Sequence, residues 1–321
     1  MSIDFEVLNG IVPSLEEIAR RKEHVKRIII EHPKYKMLAE CIKEHHELSI
    51  NSVQPDGLFL YGETGVGKST LLKGYAAKYP KYVEEGITKV PILYFKVPVG
   101  ATPKSVASAL LFSLGDPNYD KGTGTTQTAR ILHFIEKCEV QMVIIDEFQH
   151  LIDRDTKGVL NRASDWVKSF SEDVRIPVIL CGMPESEKIF RHNEQLDRRF
   201  CIKEELLSFE YFSKEDQIEF RTFLNVLDKQ LPFANKSNLA DPFLSEKLYY
   251  ATNGVPSYIK TILENATVHA VKNGQDNIDE LNLFQAFNKI KISKRKGLIN
   301  PFCKDDFDLY EAIEEEKRKS I

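Results

Sequence analysis

"GETGVGKST", residues 62–70, sets three glycines, a lysine and two hydroxyl side chains at fixed intervals. An apolar run, "GLFLY" (57–61), precedes it, and a run of helix formers, "STLLKGYAAKY" (69–79), overlaps its end. Gly62, Gly65 and Gly67 let the backbone curl until its amides converge on phosphate oxygens. The rest of the loop (Glu63, Thr64 and Val66) completes that cradle. Lys68 reaches the β- and γ-phosphates of a nucleoside triphosphate, and Ser69, with Thr70 beside it, brings a hydroxyl to Mg²⁺. The helix that opens here adds the positive end of its dipole. Every fixed position of G-x-x-x-x-G-K-[ST], the Walker A pattern, is filled. Its setting between a strand and a helix is the one the chemistry needs.

Outward from this loop the chain alternates strand and helix. Near-continuous apolar runs at 90–99, 140–148, 175–183 and 201–209 join 57–61 as strands, and helical spacing fits about 103–114, 126–138 and 158–171. Apolar strands separated by helices predict an α/β fold, a parallel sheet covered on both faces. Upstream, Ser14 and Glu17 form a capping box that opens one helix, a second runs from Lys34 to about Glu47, and residues 1–13 read as a flexible lead-in. From Ser213 the strands stop, and helices fit 213–231, 242–251, 255–272 and 278–290. The expected division is therefore 1–54, lead-in and helices; 55–212, core; 213–290, a small all-helical lid; and 291–321, a charged tail, mobile or partner-binding.

"VIIDEF" (143–148) is the second half of the chemistry, a Walker B pattern. A buried strand ends in Asp146, which can hold the magnesium ion, and Glu147, which can polarise an attacking water. An acid separate from the metal-binding aspartate points to hydrolysis.

Composition narrows the setting. A formal charge of -4 disfavours a wholly basic nucleic-acid binder but leaves room for a local basic stripe. Five scattered cysteines (Cys41, Cys138, Cys181, Cys201 and Cys303) form no metal-ligand motif and read as free thiols of a reducing cytoplasm. The acidic start lacks a signal-peptide core. No uncharged apolar run reaches the roughly 18 residues a membrane span needs.

The order of the strands, the Asp-Glu pair and the helical appendage resemble an AAA+ ATPase over about residues 55–290. That resemblance implies rings or spirals with nucleotide at each subunit junction. It also implies an arginine, just before the last core strand, that completes the neighbour's site. "QLDRRF" (195–200) occupies that place, so Arg198 and Arg199 are the candidates to reach the next subunit's γ-phosphate. Two departures stand out. The strand after the Asp-Glu pair reads "VILCGMPES", so Cys181, Glu185 or Ser186 has to supply the usual polar tip. In the lid, "NGVPSYIK" carries Ser257 where G-x-P-R proteins have arginine, with Lys260 one turn on as a substitute.

A finer resemblance rests on "HPKY" (32–35), "GLFLYGETGVGKSTLLKGYAAKYP", "VIIDEFQHL", "IPVILCGMPES" and "LDRRF" in that order. Together they look like the TniB/TnsC family of ATP-dependent transposition regulators. The resemblance implies assembly on double-stranded DNA as a ring or filament when ATP is bound. It further implies a link between a target-selecting protein and a transposase, and disassembly on hydrolysis. In such an assembly the loops between the second strand and the Asp-Glu pair face DNA. Here those are "GATPKS" (100–105) and "YDKGTGTTQ" (119–127), with Lys104, Lys121, Thr123 and Thr125 as phosphate contacts. Two other readings share the nucleotide chemistry: a replication helicase loader, and a nucleotide-dependent signalling switch whose test is indifference to DNA.

Overall fold

The computed structural model describes residues 5–50, 52–152, 157–292, 295, 297–303 and 306–320; the parts of the expected lead-in and tail at 1–4, 293–294, 296, 304–305 and 321 lie outside them. In chain order the strands are Gly57–Tyr61 (β1), Tyr82–Glu84 (β2), Ile87–Lys89 (β3), Ile92–Lys96 (β4), Met142–Asp146 (β5), Val178–Gly182 (β6) and Ile202–Glu205 (β7). Five of them form a parallel sheet in the order β4-β5-β6-β1-β7. β2 and β3 make a separate antiparallel hairpin, turned through Glu85 and Gly86, both at positive φ. The hairpin carries no signal in the sequence, because its strands, Lys89 apart, are exposed and show no apolar alternation.

The sheet is buried on both sides, and the two-residue period shows it. Phe59, Leu93, Phe95, Val143, Ile145, Val178 and Leu180 join one apolar cluster, whereas Leu58, Leu60, Ile92, Met142, Ile144, Ile179 and Cys181 join another. The second face is covered by Pro33–Ser49 (α2) and Lys68–Ala77 (α3), through Leu38 and Ile42 and through Leu71, Leu72 and Tyr75. The first face is covered by Pro103–Ser113 (α4), Gly124–Lys137 (α5), Lys157–Asp173 (α6) and Lys188–Arg191 (α7). Each such side chain contributes about 1.5–3 kcal/mol by leaving water. A further short helix, Glu194–Arg199 (α8), precedes β7.

Two compact units divide the chain differently from expectation: Pro33–Leu207 forms one, and the first 32 residues join Ser208 onward in the other. The two N-terminal helices therefore part company. Leu15–Arg27 (α1) belongs with the helical unit, where Val25 is buried among Phe220, Leu224 and Ile259, while α2 belongs to the sheet. The helical unit continues with Lys214–Asp228 (α9), Pro242–Thr252 (α10), Pro256–Lys272 (α11), Glu280–Phe287 (α12) and Leu309–Ser320 (α13).

Both ends of the chain are folded into this unit where they are described. The described part of the lead-in is fastened, not flexible. Leu8 and Asn9 amides donate to Asp276, and the fully buried Arg21 donates to the carbonyls of Glu6 and Pro232, 2.6 Å each. Described residues of the charged tail are folded too: Phe302, Phe307, Leu309 and Ala312 enter the apolar core. Arg295 forks onto Glu316 at 2.8 and 2.5 Å and stacks over Tyr250. Among the described residues, no helix is long and apolar enough to cross a membrane.

Candidate active site

The phosphate loop leaves β1 and enters α3. Gly62 has φ +153°, and a Cβ there would meet the Leu206 carbonyl at 2.2 Å, so the position has no room for a side chain. Gly65 and Gly67 also take positive φ, +89° and +113°. Gly67 caps α3 without a side-chain bond, so the first amides of that helix are open to an anion. Val66 is buried and anchors the loop, while Glu63, Thr64 and Thr70 are exposed and Ser69 is half-buried. Lys68 lies back over the loop, its Nζ donating to the carbonyls of Gly62 (2.6 Å) and Glu63 (2.9 Å).

Asp146 ends β5 and is 1% exposed. Its Oδ2 accepts from Tyr94 Oη at 2.6 Å and its Oδ1 from the Glu147 amide at 2.8 Å. Burial, and then the bond to Asp146, push the Tyr94 phenol above its ordinary range; burial and the Asp146 charge push up the Cys181 thiol. Both stay protonated beside the carboxylate. The same Cys181 feels the Lys68 charge, which brings the loop lysine and Asp146 within electrostatic reach of one thiol.

Glu147 sits at φ +56°, a left-handed backbone that costs a non-glycine residue about 1 kcal/mol or more. Its carboxylate is held on several sides. Lys96 Nζ lies 3.4 Å from Oε1, Gln149 Nε2 donates to Oε2, and His150 Nε2 stands 3.9 Å from Oε2. Lys96 and Tyr94 were missed by sequence reasoning. The register supplies the signal afterwards, since Lys96 pairs with Asp146 across β4 and β5. A carboxylate held at a strand tip next to a metal-competent aspartate can accept a proton from water.

At the tip of β6, Cys181 is the candidate that lies beside Asp146. Cys181 and Ser186 are buried and Glu185 is exposed; the residue there that touches the phosphate loop is Met183, whose Sδ accepts from Thr64 Oγ1 at 3.0 Å. In the helical unit Lys260 does not stand in for the missing arginine: its Nζ donates to the Lys26 carbonyl at 3.0 Å, an otherwise orphaned end group of α1.

The two arginines separate. Arg199 is 9% exposed, and its guanidinium donates to the Ser171 carbonyl in the last turn of α6. In the single chain it satisfies an orphan carbonyl within its own fold. Arg198 is exposed. Asp197, the nearest carboxylate in sequence, is taken by Lys203 at 2.7 Å.

The candidate DNA contacts gather at one end of a helix pair. α4 and α5 run side by side in the same direction: Gln127 near the start of α5 donates to Ser108, and Phe112–Gly115 line one cavity with His133, Phe134 and Lys137 near their ends. Both helix starts therefore lie together, Lys104 on one and Thr125 on the other, both exposed. Thr123 caps α5, its hydroxyl accepting from the Thr126 amide, which leaves it a positioning role beside the others. Arg130 braces the connecting loop by donating to Asp116 and to the carbonyls of Asn118 (2.6 Å) and Lys121 (3.0 Å), and Lys121 is exposed.

Among solved structures, the Aeropyrum pernix ORC2 protein in ADPNP–ADP complexes matches with TM-score 0.56 at 17% identity, over 82% of this chain and 68% of that one. The Aeropyrum pernix ORC1 protein in complex with DNA gives 0.58 at 14%, over 84% and 69%. Cdc6p from Pyrobaculum aerophilum gives 0.62 at 14%, over 85% and 72%. At these identities the likeness is one of fold, the AAA+ fold of the ORC/Cdc6 proteins. None of the curated proteins matches the sequence. The family model described as bacterial TniB protein matches residues 21–209, more than half of the chain, and that stretch holds the phosphate loop, Asp146, Glu147 and α8. The chain belongs to the TniB family.

Proposed function

We propose that this protein is an ATP-dependent, sequence-nonspecific DNA-binding regulator of transposition. It assembles on double-stranded target DNA as a ring or filament, links a target-selecting protein to the transposase, and comes off when ATP is hydrolysed. Family membership over the stretch that holds both nucleotide motifs carries this reading.

The chain's own residues divide the work. The backbone of Gly62 to Thr70 receives the triphosphate, and Lys68 exchanges its two loop carbonyls for phosphate oxygens. Asp146 and Ser69 offer one carboxylate and one hydroxyl, a donor set that suits Mg²⁺, whose other ligands are phosphate and water. When bound, that ion neutralises charge developing on the transferred phosphoryl group. Glu147 orients the attacking water and takes its proton. Arg198, exposed at the end of α8, is offered to nucleotide held by the next subunit, while Arg199 steadies the helix that presents it. Lys104, Lys121 and Thr125 meet DNA phosphates at the paired helix starts, with Thr123 fixing the second start. A shallow basic feature repeated in every subunit lets a chain of charge -4 line a positive channel.

Electron microscopy of the full chain with a non-hydrolysable ATP analogue and duplex DNA tests this. Ordered rings or filaments on the duplex are expected. A protein that stays monomeric on DNA under those conditions overturns the reading.

A further inference from the structure

Three basic side chains from three different elements line one cavity of about 350 Å³ in the sheet-bearing unit. Lys104 comes from the first turn of α4, His150 from the turn that follows Glu147, and Arg162 from α6; no acidic residue is among the described residues that line the space. At roughly 30 Å³ per water, the cavity has room for a phosphate group with several waters around it. Pro103 has no amide hydrogen and the Ser105 amide is taken by Thr102 Oγ1, so the preference for an anion comes mainly from the side chains. Lys104 and Arg162 carry like charges, and an oxyanion between them removes their repulsion. One of the three has a second neighbour, since His150 Nε2 stands 3.9 Å from Glu147 Oε2.

We propose that this cavity seats one backbone phosphate of the duplex, held by Lys104 and Arg162, and that His150 reports its occupancy to Glu147. The proposal rests on duplex DNA being the partner. An arriving phosphate competes with Glu147 for the imidazole. As the ring turns toward the phosphate, the Glu147 carboxylate loses one of the contacts that hold it and can turn toward the attacking water. Arg162 then joins Lys104 as a DNA contact, and His150 is a positioning residue acting through Glu147.

The first arm measures binding of a fluorescent duplex by anisotropy, using the full chain with a non-hydrolysable ATP analogue over a range of salt concentrations. Arg162→Ala is expected to flatten the slope of log K against log salt by about 0.9 per bound subunit, and Arg162→Lys to keep it. Inorganic phosphate shares the oxyanion chemistry, but only the polyanion releases condensed counterions, so the slope identifies DNA as the source. An unchanged slope in Arg162→Ala, with a wild type that binds, overturns the cavity assignment alone. A wild type that binds no duplex overturns the DNA reading beneath it as well. The second arm is the ratio of ATP turnover with saturating duplex to turnover without it. His150→Gln is expected to bring that ratio toward one, whereas a mere folding defect lowers both rates and leaves the ratio. A His150→Gln ratio equal to the wild type's, or a wild-type ratio of one, overturns the link to Glu147.

Discussion

Replacing Arg198 and Arg199 one at a time by alanine separates two roles that adjacent arginines share in sequence. Arg199 is 9% exposed and donates to the Ser171 carbonyl, an acceptor at the end of α6 with no partner in its own helix. A hydrogen bond from a charged donor to such an acceptor contributes about 1.5–3 kcal/mol. Relief of a buried charge offsets part of the lost packing, so Arg199→Ala should cost about 2 kcal/mol. The unit concerned runs from Pro33 to Leu207. For a unit of this size each kcal/mol moves Tm by about 2–4 °C, which gives a drop of about 4–8 °C. Arg198 is exposed, so Arg198→Ala should stay within about 0.5 kcal/mol of wild type. Its cost should instead appear in assembled turnover, by about 10³ or more, with ATP binding by each subunit retained. The assays are thermal denaturation and steady-state ATP hydrolysis with duplex DNA. Adding Lys68→Ala subunits to Arg198→Ala subunits should restore part of the turnover, since each then lacks only what the other supplies. The reasoning is refuted if Arg199→Ala melts like wild type yet loses turnover, while Arg198→Ala hydrolyses ATP normally.

Lys68→Ala should abolish nucleotide binding, read with a fluorescent ATP analogue, and with it assembly on DNA; full ATP affinity would remove the phosphate-loop assignment. Glu147→Gln should lower turnover by about 10²–10⁴ while preserving ATP binding, so that assemblies persist on DNA by sedimentation; turnover at the wild-type rate would exclude Glu147 as the base. His32, half-buried between Phe209 and Phe223, has its pKa pushed down by burial from 6.5 to about 4. The unfolded chain therefore takes up this proton at higher pH than the folded one. The resulting stability is complete above about pH 6.5 and is lost as pH falls toward 4. His32→Phe should flatten that part of the denaturation profile between pH 7.5 and 4.5, and an equal loss in both proteins would show that His32 is not its source.

The nucleotide motifs were legible because their chemistry is local. A strand, a tight loop and a helix start lie within about twenty consecutive residues, and β1 appears at the predicted residues, Gly57–Tyr61. The other sheet strands lie inside the apolar runs that announced them, each run being a few residues longer than its strand. What stayed hidden depends on partners far along the chain. Arg21 reads as a solvated helix residue until Pro232, 211 positions away, offers its carbonyl. Phe302 and Phe307 stand among lysines and aspartates without helical spacing, so nothing local marks them as core. Nor does the order "DRR" say which arginine turns inward, because α8 is only six residues long and its orientation is set by Leu196 and Phe200 in the sheet's core.

The partition of the chain has a consequence for its synthesis. The sheet-bearing unit, Pro33–Leu207, is one continuous stretch set inside a helical unit whose own parts are made before and after it. As the chain leaves the ribosome, α1 emerges with Val25 and Ile28 lacking their eventual neighbours on α9 and α11, which lie about 200 residues or more downstream. At about 5–20 residues per second, that wait lasts roughly 10–50 s. The inserted unit can close on itself in the meantime, which brings its two ends under the control of folded structure and shortens the loop that the helical unit must later seal. Newly made chains thus pass through a stage with a complete phosphate loop and an uncovered apolar helix, a form open to holding factors before it is open to assembly.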